Sequence, residues 1–479
     1  MSDWITIIGL EIHVQAKTST KVFCSCKNVF GQEPNTNTCP VCLGHPGVLP
    51  VVSKEAIEQI MRAGLMTNCE IAKYSKFDRK SYFYPDQPKN YQITQLDLPF
   101  CSEGKIPIGG KGLNGDPVEE REIGLERIHL EEDVGKSTHF ANHSMVDYNR
   151  AGMPLLETVS HPDMHSADEA YAYVQSLQQI MRYGGISDCD QEKGQFRCDV
   201  NISVHKAGTP FNTKVEIKNL NSTRHIWQSI NYEIERQTEI YENGGTIRQE
   251  TRRWNDTLNE TVHMRFKESA DDYRYFPEPD LVPTITTEEE IEALRANLPK
   301  TPRDYRKTFV EDFKVTEYDA HVLTLDKVAA EMFLAAGSQV KKPKGIANIM
   351  MNQLNSVLSD AGKTLADSAL TADHLVKIDQ LISDSKIMKN AVSDILPVLI
   401  LEDKCPEAIA KEKGLIQEND SAALEGFVDA AIAANPKAVA DYQGGNPKAI
   451  QSLMGQVMKA SKGKANPGMV IPMLKKKLD

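Results

Sequence analysis

Long apolar runs are missing from this chain. No uninterrupted stretch approaches the roughly 18 residues that a membrane helix needs, so a membrane-spanning class is not expected. Positive charge is outweighed, with 55 Lys and Arg against 67 Asp and Glu and a formal net charge of −12. That balance excludes a protein that coats nucleic acid by charge alone and makes any such contact local. The opening residues Met1-Ser2-Asp3-Trp4 carry no basic segment ahead of an apolar core, so no secretion signal and a cytoplasmic location are expected. Phosphate-loop signatures are absent too. Gly135-Lys136-Ser137 and Gly362-Lys363-Thr364 have Leu130 and Val357 where the first glycine of a Walker loop would stand, which removes P-loop nucleotide chemistry. Gly110-Lys-Gly112-Leu-Asn-Gly115 fits a dinucleotide pattern in letters, but Asp116-Pro117 follows where an apolar helix should begin, so a hairpin loop is expected. No G-x-S-x-G elbow and no recognisable glutaminase nucleophile are present.

What is present is enough chain, 479 residues, for several cores without disulfides. The nine cysteines are unevenly spread, and four fall in Cys24-Ser-Cys26 and Cys39-Pro-Val-Cys42-Leu-Gly44. In a reducing compartment two such tight knuckles predict a metal rather than bridges. Four thiolates from Cys24, Cys26, Cys39 and Cys42 satisfy a closed tetrahedral zinc, a structural site with no position for substrate. The alternative is four reduced cysteines in a loop.

The texture of the chain changes at Leu298-Pro-Lys-Thr-Pro302, from aromatic and alternating to Ala-, Leu-, Lys- and Asp-rich with helical spacing. A second break near Glu402-Asp-Lys-Cys-Pro406 sets off a small C-terminal unit. The expected domains are 1–294, 295–404 and 405–479. Period-two alternation over 6–15 puts Ile8, Leu10, Ile12 and Val14 on one side and Gly9, Glu11, His13 and Gln15 on the other, a half-buried strand with chemistry on its second face. Segments 123–132, 197–204 and 213–220 read as further strands. Helices are expected over 54–66, over 223–243, and after the capping box Ser166-Ala-Asp-Glu169 as far as Gly184-Gly185. The fold class is therefore α+β, with antiparallel sheets followed by helices.

Candidate chemistry gathers in the first region. Glu11 and His13, two apart on a strand, can grip one cation. Glu132 falls beside Ile128 and Leu130 on an apolar face and needs a partner there; Glu157 is another acid among apolar residues. Such a set could hold a nucleotide's magnesium, or consist of separate salt-bridged acids. Phe77-Asp-Arg79-Lys80-Ser-Tyr82-Phe-Tyr84-Pro-Asp86 interleaves cations with rings, which suits phosphate and base contacts or cross-strand aromatic packing. Arg197, Asp199 and Asn201, with Lys214, Glu216 and Lys218, line a cavity or a wet sheet face. Arg252, Arg253, Arg265, Lys267 and Arg274 are expected on a solvated face. From Gly445 to the end, seven lysines stand against Asp479, a local +6, either an RNA-phosphate contact or a solvated helix end.

Gly9-Leu-Glu11-Ile-His13-Val, Cys39-Pro-Val-Cys42-Leu-Gly44, Phe77-Asp-Arg-Lys80 with Tyr82-Phe-Tyr-Pro-Asp86, His129-Leu-Glu-Glu-Asp133, Glu216-Ile-Lys-Asn-Leu-Asn-Ser222 and Asp272-Tyr-Arg-Tyr-Phe-Pro-Glu-Pro-Asp280 occur in that order. Together they resemble the B-subunit family of bacterial aspartyl/glutamyl-tRNA(Asn/Gln) amidotransferases, over essentially the whole chain. Ser81 stands where Asn, and His45 where Leu, is usual. The resemblance implies a cradle-shaped catalytic domain, a helical domain and a tRNA-gripping tail. It implies ATP- and magnesium-dependent phosphorylation of glutamate or aspartate mischarged on tRNA(Gln) or tRNA(Asn), then amidation. It also implies magnesium ligands at Glu11, His13, Glu132 and Glu157, with Glu131 and Asp133 behind them. Arg79, Lys80 and Tyr82 would contact the nucleotide or the ammonia path. The implied partners are an amidase A subunit and a small C subunit in a heterotrimer, with a polar tunnel that Lys214, Glu216 and Lys218 would line. All four cysteines are retained although some members lack them, so the zinc it supports is structural. A noncatalytic RNA-binding adaptor is the competing class, and the acid cluster argues against it.

Overall fold

A computed structural model describes residues 3–266, 273–418, 420–461 and 463–478; Lys267, Asp272, Lys462 and Asp479 lie outside these. The chain forms two units, Met1–Thr301 and Pro302–Asp479. The first is built on a nine-stranded sheet. In spatial order its strands are Glu260–Phe266, Glu250–Asn255, Val215–Leu220, Phe196–Lys206, Trp4–Gln15, Pro154–Ser160, Pro117–Glu132, Cys101–Lys111 and Glu70–Ile71. All neighbours are antiparallel except the pair Val215–Leu220 and Glu250–Asn255.

Trp4–Gln15 is the central strand because its alternation suits burial on one face only. Ile8, Leu10, Ile12 and Val14 are at most 1% exposed. Helices Lys54–Met66, Ala167–Tyr183 and Thr223–Glu242 pack over that face. Each begins at a serine, Ser53, Ser166 or Ser222, whose hydroxyl accepts from a first-turn amide; a cap of this kind contributes about 1 kcal/mol. The expected capping box at Ser166 is only half made. Glu169 instead accepts from His165 N at 2.7 Å and Arg121 Nη2 at 2.8 Å, tying the helix start to the sheet. The glycine-rich stretch is a hairpin loop, closed by Gly112 N donating to Asp116 O at 2.8 Å. Arg252 departs from the solvated-face reading, because Glu233 on the covering helix is 0% exposed and must be neutralised. Arg252 Nε reaches it at 3.2 Å and Arg236 grips it through both oxygens at 2.9 and 2.8 Å.

Helix Glu288–Ala296 packs on Lys54–Met66, which carries the first unit past the expected boundary at 294. The second unit is helical. Pro406–Glu412 packs against Ala372–Ser383 and Val392–Leu401, so the break expected at 405 falls inside a packed group. A separate core begins at Leu424 and joins Val428, Leu453, Val457, Val470 and Leu474. Among the described residues no helix is long and apolar enough to cross a membrane.

All three tryptophans, Trp4, Trp227 and Trp254, lie in the first unit. Ile12→Ala is expected to destabilise that unit by about 2–5 kcal/mol, read as an earlier denaturant transition in tryptophan fluorescence. A shift below about 1 kcal/mol would mean the central strand is not the core of the unit.

Candidate functional site

The face of the sheet opposite the helices collects polar side chains from adjacent strands. Register puts His13 opposite Glu157, and Glu157 opposite His129 on the next strand. Period-two alternation then brings Glu131 to the same side. The four groups converge. Glu157 Oε2 lies 3.3 Å from both His13 Nε2 and His129 Nε2, while Glu131 offers Oε1 to His13 at 3.8 Å and Oε2 to His129 at 3.7 Å. Ligand atoms of His13, Glu131 and Glu157 all fall within 4.8 Å of one another.

Burial makes this arrangement demanding. Side chains of Glu131 and Glu157 are 3% and 13% exposed, and two carboxylates so close need positive charge between them. The imidazoles supply it in the bare chain. Burial lowers the His129 pKa, but Glu157 and Glu131 outweigh it and hold the ring at about 9; His13 is likewise raised, against its burial, mainly by Glu157. Glu157 stays well below the ordinary carboxylate range because His129 and His13 overcome its desolvation. A pocket that recruits protons to separate its acids fits a divalent cation. Carboxylate oxygens suit magnesium, and the imidazoles would also suit manganese.

Lys80 belongs to a second, three-stranded sheet of Tyr91–Thr94, Asp78–Ser81 and Phe276–Pro277. Its ammonium sits 5.0 Å from the Tyr273 ring centroid. Burial pulls its pKa down, yet Glu131 and Glu157 hold it above the ordinary lysine value. Tyr82, two residues on, stands edge-on to Tyr273 at 6.3 Å and accepts from Gln87 Nε2 at 3.3 Å. Arg79 alternates to the other side. It binds Glu278 through Nε and Nη2 at 2.7 and 2.8 Å and lies 4.3 Å from the Tyr91 ring centroid, so its guanidinium is occupied in holding the small sheet.

Two other expected ligands are placed apart. Glu11 lies on the polar face but accepts from Asn201 Nδ2 at 2.9 Å, outside the converging set. Glu132 alternates away from Glu131. Its Oε1 accepts from Ile93 N at 2.9 Å and from Lys89 Nζ, in a cleft shared with Cys24, Cys42 and Gly152. The partner that a carboxylate on an apolar face requires is thus a lysine, not a shared cation. Glu216 and Lys218 line the polar face farther along, 3.1 Å apart and joined to Asp199. Lys214 is exposed ahead of that strand.

The sulfur atoms of Cys24, Cys26, Cys39 and Cys42 all lie within 4.8 Å of one another. Cys42 Sγ accepts from Cys39 N at 3.2 Å and from Lys21 Nζ at 3.7 Å, and Lys21 is 0% exposed. The Cys42 thiol is pulled far down, first by the Cys24 hydrogen bond and also by Lys21. A buried cation against converging sulfurs fits a thiolate-held zinc with no open position.

His129 and Lys21 escape a reading of the sequence, which gives Glu131 only a supporting place. Alternation over 123–132 does carry a signal for His129 and Glu131, because they share the face opposite Ile128 and Leu130. Lys21 carries none, since its role depends on a loop closing over it.

Comparison with known proteins agrees with this architecture. Residues 6–292 match the family model described as the GatB/GatE catalytic domain, and 331–478 match the GatB domain. The B subunit of the aspartyl/glutamyl-tRNA(Asn/Gln) amidotransferase of Carboxydothermus hydrogenoformans is 46% identical over 100% of this chain and 99% of its own. The protein of that name from Geobacter sulfurreducens is 47% identical over 98% of each chain, and that from Brevibacillus brevis 45% over 100% of each. The chain belongs to this family, the B subunits of a tRNA-dependent, glutamine-dependent amidotransferase that acts as a ligase.

Proposed function

We propose that this chain activates the side-chain carboxylate of glutamate or aspartate mischarged on tRNA(Gln) or tRNA(Asn), using ATP, and delivers it to ammonia. The observation that carries the reading is the convergence of His13, Glu131 and Glu157, whose carboxylates also act on the charge of Lys80. A carboxylate resists ammonia because its charge repels the nucleophile and oxide is a poor leaving group, so it must first become an acyl phosphate. Its oxygen attacks the γ-phosphorus, the bond to the bridging oxygen breaks, and the nucleoside diphosphate leaves with the electron pair. Ammonia then adds to the acyl carbon, and phosphate and a proton depart to leave the amide.

His13, Glu131 and Glu157 would hold magnesium, with His129 behind them; when bound, the ion supplies neutralisation of phosphate charge. Lys80 provides a positive charge coupled to the same carboxylates, available to a phosphoryl or acyl oxygen. Tyr82 and Tyr273 wall off that side from water. Cys24, Cys26, Cys39 and Cys42 would hold a structural zinc. Ammonia comes from an amidase A partner, a small C subunit completes the heterotrimer, and the polar row Glu216, Lys218 and Asp199 belongs to the ammonia path. The second unit's terminal helices, Ala449–Ala460 and Pro467–Leu478, carry exposed Lys459, Lys475 and Lys476 for tRNA phosphates.

In the reconstituted complex, Glu131→Ala and Glu157→Ala are expected to lower tRNA-dependent ATP cleavage by more than about 100-fold, while partner glutaminase activity persists. Cleavage at the wild-type rate in either variant would remove the cluster from the reaction. Protonation gives a second test. The folded His129 pKa of about 9 lies above the ordinary 6.5, so its stabilising charge is complete below pH 6.5 and lost as pH rises through 9. Magnesium held beside Glu157 would compete with that proton for the same carboxylate, and its affinity for the metal-free protein should rise between pH 7 and 9 by roughly tenfold per proton released per unit. Calorimetry in buffers of different ionisation enthalpy reads the released proton; an affinity independent of pH would contradict the assignment.

A further inference from the structure

The polar face holds one guanidinium that the reaction described above does not use. Arg197 stands directly opposite His13 in the ladder between Phe196–Lys206 and Trp4–Gln15. Its Nη2 donates to Asp133 Oδ2 at 2.7 Å. Asp133 is itself fixed. It is 3% exposed, accepts from Val134 N at 2.8 Å, and has Arg150 Nε at 3.5 Å. Arg150 in turn donates to Val134 O and Gly135 O at 2.9 and 2.7 Å. One end of the Arg197 fork is therefore pinned by a buried, multiply held carboxylate.

The other end is not satisfied. Arg197 Nε is buried from solvent and has no hydrogen-bond partner among the described residues, an arrangement that destabilises the chain when nothing accepts from it. The side chain as a whole is 36% exposed, and the strand pairing sets it beside His13. Asp133 accounts for one of five donors. A structural arginine would be expected to close both ends, as Arg79 does on Glu278.

We propose that Arg197 is a catalytic residue that binds the γ-phosphoryl group of the nucleotide, with Asp133 as the positioning residue that aims it. This rests on the carboxylate-activating reading above. A planar fork matches two phosphoryl oxygens, and its charge cannot be lost to the neighbouring acids. In the transfer, the acceptor carboxylate oxygen forms the new bond to phosphorus, the bond to the bridging oxygen breaks, and the nucleoside diphosphate takes the electron pair. Arg197 donates hydrogen bonds to non-bridging oxygens throughout and transfers no proton. Lys80, on the small sheet, is a second cation coupled to the same carboxylates, so the phosphoryl group would meet cations carried by two separate sheets.

The test uses the reconstituted complex with mischarged tRNA, comparing wild type with Arg197→Gly and Arg197→Lys. Arg197→Gly should lose about 10²–10³-fold in kcat for tRNA-dependent ATP cleavage. Its affinities for ADP, which lacks the γ-phosphoryl, and for magnesium should stay within about threefold of wild type. Added guanidinium should restore at least tenfold, and Arg197→Lys should recover less than one tenth of wild-type kcat because an ammonium cannot reproduce the fork. Unchanged kcat in Arg197→Gly would overturn the proposal. So would a loss that guanidinium does not relieve, accompanied by weakened magnesium binding in a folded variant, which would mean that Arg197 only shapes the cation pocket. If Arg197→Gly loses its cooperative unfolding transition in tryptophan fluorescence, it has not folded, and Arg197→Lys then decides: full activity refutes a fork-specific role. Should the wild-type complex cleave no ATP with mischarged tRNA, the underlying reading fails irrespective of Arg197.

Discussion

Two buried carboxylates that cannot be left without positive charge organise the catalytic unit. Glu131 and Glu157 come from adjacent strands and face the same small volume, where low dielectric makes their repulsion strong. The surrounding structure answers it in layers. His13 and His129 bring protons to the shared oxygens, Lys80 brings an ammonium from the second sheet, and Arg197 stands one strand over on its Asp133 anchor. A divalent ion held there would take the place of the imidazole protons, and the site's affinity for metal would then depend on pH. The same positive charges are those that a transferring phosphoryl group requires.

This arrangement needs a rigid floor, and the nine-stranded sheet supplies one. Its central strand is locked by neighbours on both sides, with register running from Trp4↔Lys206 to Val14↔Phe196 on one and Glu11↔Val159 to Gln15↔Leu155 on the other. Helices cover the apolar face, so the polar face is free to carry chemistry. The sulfur cluster braces the edge of this floor. Val22 N donates to Gly152 O, and Gly152 N to the Asp133 backbone O, both at 2.9 Å, which ties the loop beneath the knuckle to the residue whose carboxylate holds Arg197. A structural metal there would stiffen the site without entering the reaction.

Much of this is legible in the chain alone because the signals are local. Alternation over 6–15 is a property of ten consecutive residues, and it reveals both the central strand and the shared side of Glu11 and His13. The cysteine knuckles are likewise compact in sequence. What cannot be read depends on pairing between distant segments. Glu132 stands out because an acid beside Ile128 and Leu130 needs a partner, and that reasoning is sound, but the partner is Lys89. Glu131 and His129 join the cluster only because the register sets Glu157 opposite His129. Arg79 and Lys80 are consecutive, and one residue of alternation separates a structural ion pair from a charge in the pocket. Helix Glu288–Ala296 moves a domain boundary for the same reason, since it packs on a helix far earlier in the chain.

The central claim is that one divalent ion is caged by His13, Glu131 and Glu157. Crystals of the protein soaked in manganese and measured for anomalous scattering address it most directly. A single strong peak bonded to those three side chains is the predicted result. A peak at Glu11 or at Glu132 instead, or no peak on the polar face at saturating manganese, would contradict the account.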